Sequence, residues 1–102
     1  MKTIDVTEAD YAERLQKSTG LLLAHKPACP HCKNLKIVVE KFIKKQGPVD
    51  VLYLDTMANP QAMKALEIER VPTLLIVKEG EIRQRKAGLM NPRELAALYK
   101  QS

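Results

Sequence analysis

Apolar residues along this chain fall into two patterns, short unbroken runs and helical repeats. Leu21-Leu22-Leu23-Ala24 and Thr73-Leu74-Leu75-Ile76-Val77 are continuous, as expected of strands buried on both faces. Val49 to Leu54 reads as a further strand, rich in β-branched and apolar residues, and Ile4 and Val6 predict a short first strand. Leu35, Val38, Val39, Phe42 and Ile43 recur instead with helical spacing, leaving lysines and Glu40 for the opposite face.

Turn and cap residues punctuate these elements. Thr7 with Asp10 reads as an N-cap pair, and the polar stretch after it to Ser18 reads as a helix closing at Gly20. Gly47-Pro48 ends the long helix. Asn59-Pro60 places a cap before a helix-starting proline, predicting a helix through Ala62, Met63 and Leu66. Glu79-Gly80 makes a tight turn into Glu81–Arg85, whose charges suit an exposed edge strand. Asn91-Pro92-Arg93-Glu94 has the form of a capping box, followed by Leu95, Leu98 and Tyr99 on one face. The order is βαβα, then β, helix, ββα. It predicts one α/β domain over residues 1–102, with a mixed central sheet and helices on both faces.

The chemistry concentrates in Cys29-Pro30-His31-Cys32, which holds the only two cysteines of the chain. They stand three positions apart at a predicted helix start. Unpaired N–H groups and the partial positive charge there favour whichever sulfur ionises first. Such a thiolate attacks disulfides, and a thiol one turn along resolves the mixed disulfide. Pro30 suits the first helical position, and a positive His31 next to it favours the thiolate further. As a structural staple the pair is poor, because it closes only a tiny loop.

Composition narrows the remaining choices. With 102 residues and 45% hydrophobic content, the chain has room for one core. The net charge of +5 comes from 17 basic and 12 acidic residues spread along the sequence. A nucleic-acid surface would interleave basic and aromatic residues, but there are one Phe, three Tyr and no Trp, so no nucleic-acid partner is expected. No apolar run approaches a membrane span, and Met1-Lys2-Thr3-Ile4-Asp5 lacks a secretory apolar region. The expected location is the cytoplasm, where a CxxC pair is catalytic or metal-binding more often than structural.

Three separated features resemble the thioredoxin family, and the resemblance covers nearly the whole chain. The CxxC lies between a buried strand and a helix, with Lys33 directly after the second cysteine. Val71-Pro72-Thr73 is similar to the X-Pro-Thr before the family's fourth strand, where the proline is cis. Lys86-Ala87-Gly88 is similar to the stretch carrying the family's substrate-loop glycine. Departures accompany these matches. Ala28 stands where thioredoxins usually carry Trp, Leu23 where they carry a buried acid, Val51 where they carry its lysine partner, and Ile37 at the helix-kinking proline. The CPHC tetrapeptide is similar to that of DsbA-type oxidases, but the chain is too short for their helical insertion.

The resemblance implies a thioredoxin fold and a thiol–disulfide oxidoreductase serving electron transfer and cell redox homeostasis, with no cofactor beyond the Cys29–Cys32 disulfide. Cys29 is then the exposed nucleophile, and Cys32 the deeper, resolving thiol. Pro30 and His31 tune the couple. Ala28, Val71, Pro72 and Gly88 are the expected substrate-binding residues, with Pro27 adding to an apolar rim around Cys29. With Leu23 in place of an acid, His25, His31 or a water is left to deprotonate Cys32. The implied partners are protein disulfides and a thioredoxin reductase or another dithiol donor, and the chain is expected to be a monomer. The competing reading is a metal-handling module using Cys29, Cys32 and His31, three ligands that fall short of a closed tetrahedral site.

Overall fold

A computed structural model describes residues 2–102. Nine elements follow in chain order: β1 (Lys2–Val6), α1 (Tyr11–Gln16), β2 (Gly20–His25), α2 (Pro30–Gln46), β3 (Asp50–Asp55), α3 (Pro60–Ala65), β4 (Thr73–Lys78), β5 (Glu81–Ala87) and α4 (Pro92–Gln101). The strands form one mixed sheet in the order β1-β3-β2-β4-β5. β1, β3 and β2 run parallel, while β4 is antiparallel to β2 and β5 to β4.

The unbroken apolar runs mark the interior strands. β2 lies between β3 and β4, and Leu21, Leu22, Leu23 and Ala24 are all at most 1% exposed. Alternate residues serve opposite faces. Leu21, Leu23, Val51, Tyr53, Leu74 and Ile76 pack with Leu35, Val39 and Phe42 of α2 and Leu95 and Tyr99 of α4. Leu22, Ala24, Leu52, Leu54, Leu75 and Val77 pack with Leu15 of α1, Ala62 of α3 and the following Leu66 and Ile68. Helices therefore cover both faces. β5 is an edge strand whose residues are exposed or half-buried in alternation over its first five positions. The hairpin joining it to β4 turns on Glu79 (φ 52°) and Gly80 (φ 81°), the paired positive φ of a turn whose twist matches its strands.

Three boundary expectations need correction. The first helix begins at Tyr11, not near Thr7. The amide and hydroxyl of Thr7 instead donate to Asp10 Oδ1 at 2.7 and 3.2 Å, closing a turn ahead of the helix. Gly20 does not end that helix, which stops at Gln16 with Lys17 as its C-cap. It is the first residue of β2, where a Cβ would strike the Asp50 backbone. The third helix is capped from afar. Asn59 stands at its N-cap but makes no side-chain cap bond. Its Oδ1 accepts the Glu8 amide at 3.0 Å and its Nδ2 donates to the Asp55 carbonyl at 3.0 Å. The Glu8 carboxylate takes over the capping, accepting the amides of Gln61 and, at 3.2 Å, Ala62.

Candidate active site

β2 delivers the chain at its C-terminal end to a short loop, and α2 begins directly after Cys29. Cys29 is the N-cap residue, with the extended backbone (φ −113°, ψ 105°) that such a position takes. Its carbonyl accepts the first helical bond from Lys33 N–H at 3.1 Å, and its Sγ accepts the Cys32 amide at 3.2 Å. The sulfur thus occupies the place of a capping oxygen. Pro30 at the first helical position loses nothing by lacking an N–H. α2 then continues unbroken for 17 residues, through Ile37.

Cys29 and Cys32 are joined by a disulfide, with their Cα atoms 5.2 Å apart. The expectation that Cys29 is exposed does not hold in this oxidised state: it is 6% exposed, against 5% for Cys32. One covalent bond holds both sulfurs at the same depth. What distinguishes them is the helix terminus, which points an N–H at Cys29.

Against the disulfide lies an open cavity of about 180 Å³. Leu23, His25, Pro27 and Ala28 line it from β2 and the loop, and Cys29, Cys32, Lys33 and Lys36 from the start of α2; Lys26 completes the wall. The charged residues of this lining are three lysines and no carboxylate, a balance that favours the anionic form of either sulfur. Lys36 follows Cys32 by one turn, and its Nζ lies 4.8 Å from the Tyr53 ring centroid. The His25 ring meets Tyr53 edge-on at 6.2 Å. Burial holds the His25 imidazole below the ordinary histidine range, opposed by Asp55 and assisted by Lys36. Burial also raises the Tyr53 phenol. The backbone at His25 is fixed as well, since its carbonyl accepts both the amide (2.8 Å) and the hydroxyl (3.0 Å) of Thr56.

The other expected site residues divide into two groups. Ala28 faces the cavity with a left-handed backbone (φ 55°), a strained conformation for a residue with a Cβ. Val71, Pro72 and Gly88 are not among the cavity's lining residues. Thr73 pairs with both Ala24 and Ala87, which sets the Val71-Pro72 segment and Gly88 at the same sheet end as the loop to Cys29. The Val71–Pro72 bond is cis, Pro72 is buried, and its carbonyl accepts the Gly88 amide at 2.9 Å. His31 is exposed on the first turn of α2. It joins no ligand set with the cysteines: among the described residues, no group of three or more His, Cys, Asp or Glu is placed to hold a metal ion. Lys36, Tyr53 and Thr56 went unnoticed as site residues. Only Lys36 carried a signal, its four-residue spacing from Cys32.

Leu23 and Val51 stand in one apolar core, both 0% exposed. An acid–lysine pair at these positions would be desolvated, and apolar replacement of a buried ion pair is commonly neutral or stabilising. The site floor is therefore apolar, and His25 is the one imidazole in the cavity wall.

Comparison with known proteins gives a consistent result. The family model described as Thioredoxin matches residues 2–101. A thioredoxin of Staphylococcus aureus (strain Mu50 / ATCC 700699) is 28% identical over 97 residues, covering 94% of this chain and 93% of its own. A thioredoxin of Staphylococcus haemolyticus is 29% identical with the same coverage. Among solved structures, the reduced form of desulfothioredoxin from Desulfovibrio vulgaris Hildenborough is 37% identical with a TM-score of 0.85, covering 98% of this chain and 97% of its own.

Proposed function

The chain belongs to the thioredoxin family and is a thiol–disulfide oxidoreductase acting on protein disulfides, and from that premise we propose that it works as a cytoplasmic reductant with Cys29 as nucleophile. The observation that carries the assignment of roles is the Cys32 amide directed at Cys29 Sγ. In the reduced protein the same amide stabilises a Cys29 thiolate, with the helix dipole and the positive balance of the lysine-lined cavity adding to it. That thiolate attacks a substrate disulfide, releases one substrate thiolate and leaves Cys29 in a mixed disulfide. Cys32 then attacks Cys29 Sγ, releasing the second substrate thiol and closing the Cys29–Cys32 bond. Two electrons pass to the substrate, and a thioredoxin reductase or another dithiol donor returns them.

Substrate docking is assigned to the Val71-Pro72 segment with Ala28 and Gly88. Their shared position at the sheet end nearest the Cys29 loop supports this, and the backbone of half-buried Val71 is the part of the segment assigned to pairing with an extended peptide. Pro30 and His31 are assigned to tuning of the couple. The domain is taken as residues 1–102 acting as a monomer. Two cysteines, both spent on one redox pair, suit a reducing compartment. Among the described residues no helix is long and apolar enough to cross a membrane.

The test is turnover. With a disulfide-bonded protein as substrate and dithiothreitol as donor, catalytic amounts should accelerate reduction, and equilibration with glutathione should give a single two-electron couple. Failure to reduce any protein disulfide, with the glutathione equilibrium intact, would remove the reductant role and leave a dithiol that runs in another direction.

A further inference from the structure

Resolution of the mixed disulfide requires that the Cys32 thiol lose its proton, and the residue at the usual acid position, Leu23, has no group to accept it. We propose that the His25 imidazole takes up the Cys32 proton across the cavity that both residues line. The inference rests on the roles assigned to Cys29 and Cys32 above and adds the base that the second step needs.

Among the side chains of the cavity wall, one can accept a proton at neutral pH. Leu23, Pro27 and Ala28 carry nothing titratable, and Lys26, Lys33 and Lys36 are cations at neutral pH with no free lone pair to offer. His31 points to solvent from the first turn of α2 and is not part of the wall. His25 alone combines a titratable nitrogen, a place in the same wall as Cys32 and a backbone fixed by the two Thr56 hydrogen bonds. The space of about 180 Å³ has room for a water between imidazole and thiol.

The charges facing His25 set its working range. Asp55 stands beside it in β3, Asp5 lies farther out on β1, and Lys36 approaches from α2, while the Tyr53 ring packs against its edge. Burial, with Lys36 beside it, outweighs the two carboxylates and favours the neutral ring, the form that accepts a proton. In the step itself, the Cys32 S–H bond breaks and its proton passes to imidazole. The Cys32 sulfur pair forms a bond to Cys29 Sγ, and the bond from Cys29 to the substrate sulfur breaks. The leaving substrate thiolate takes the electron pair and recovers a proton from His25 or from solvent.

Stopped-flow reaction of the reduced protein with one equivalent of the aromatic disulfide DTNB separates the two steps. The first thionitrobenzoate reports attack by Cys29, and the second reports attack by Cys32. In the unsubstituted protein the second phase should rise with pH through the His25 titration and then level off. His25→Asn and His25→Gln should leave the first phase within about twofold. They should slow the second roughly tenfold or more at pH 7 and remove its inflection. Added imidazole should restore the second phase in His25→Ala. Loss of the first phase would count against the Cys29 assignment instead, so the two failures are distinguishable. The inference is overturned if either folded variant keeps the second-phase rate and inflection, or if imidazole restores nothing.

Discussion

The amide of Cys32 points at the sulfur of Cys29 across 3.2 Å, so the first cysteine of the pair serves as the N-cap of the helix that contains the second. A sulfur in that position meets an unpaired N–H and the positive helix end, both of which favour its anion. The same contact does nothing for Cys32, which lies inside the first turn. Two chemically identical thiols are made unequal by one backbone hydrogen bond.

Alkylation should reveal that inequality. In the reduced protein, iodoacetamide near pH 6.5 should label Cys29 with little labelling of Cys32, and the Cys29 thiol should titrate below about 8.5, the value of a free cysteine. Peptide mapping by mass spectrometry checks both sites together. Equal labelling would mean that the helix terminus does not separate the thiols.

His31→Pro should make the protein a stronger reductant. The protonated form of an imidazole on the first turn favours the thiolate and hence the reduced state, so removing the imidazole destabilises that state. One or two steps of about 30 mV, each about 1.4 kcal/mol for a two-electron couple, is the expected scale in a glutathione redox titration. An unchanged potential would make His31 a bystander.

Ala28 pairs a Cβ with a φ of 55°, and left-handed backbone costs a non-glycine residue about 1–2 kcal/mol. Ala28→Gly relieves that strain but adds unfolded-state entropy worth about 0.4–1 kcal/mol. Urea unfolding should therefore show a net gain of roughly 0.5 kcal/mol. Ala28→Val should lose about 1 kcal/mol or more, because branching worsens the same conformation. A stabilising Ala28→Val would contradict the backbone assigned here.

Glu8→Ala should cost about 1 kcal/mol in denaturant unfolding, the usual scale for a lost helix cap. The carboxylate accepts the Gln61 and Ala62 amides at the start of α3, and nothing else on that helix replaces it. Glu8→Gln should recover part of the loss, since an amide oxygen still accepts but the charge is gone. Glu8→Ala with unchanged stability would show that the cap is dispensable.

Burial holds the His25 imidazole below its unfolded value near 6.5. The folded protein therefore binds fewer protons than the unfolded chain between those two values, and stability falls as pH drops through that window. Above about pH 6.5 the contribution is fully present. Unfolding free energies measured from pH 7.5 downward should decline more steeply in the unsubstituted protein than in His25→Asn. Parallel curves would show that His25 titrates alike in both states.

These features were unequally legible in the sequence. Leu21–Ala24 and Thr73–Val77 announced interior strands because nothing polar interrupts them, and Asn91–Glu94 announced a cap because both partners lie within one turn. Asn59 misled for the opposite reason. Its position is a cap, but the capping carboxylate comes from Glu8, some fifty residues earlier, and no local pattern encodes that contact. Gly20 misled because a glycine after a helical stretch reads as a terminator, whereas its function is to let β2 approach Asp50. At the site, the CxxC spacing gave the two sulfurs directly. The cavity wall joins residues from β2, the loop and α2, and the support of His25 by Thr56 depends on strand pairing that only folding creates.

Trapping with single-cysteine variants tests the central claim most directly. Cys29→Ser and Cys32→Ser, each reduced and then mixed with an oxidised protein substrate near pH 7, are followed by intact-mass spectrometry. Cys32→Ser should accumulate a mixed disulfide on Cys29 within the mixing time of ordinary assays, while Cys29→Ser should form little or none on Cys32. Adducts forming at equal rates on both variants, or faster on Cys32, would contradict the account.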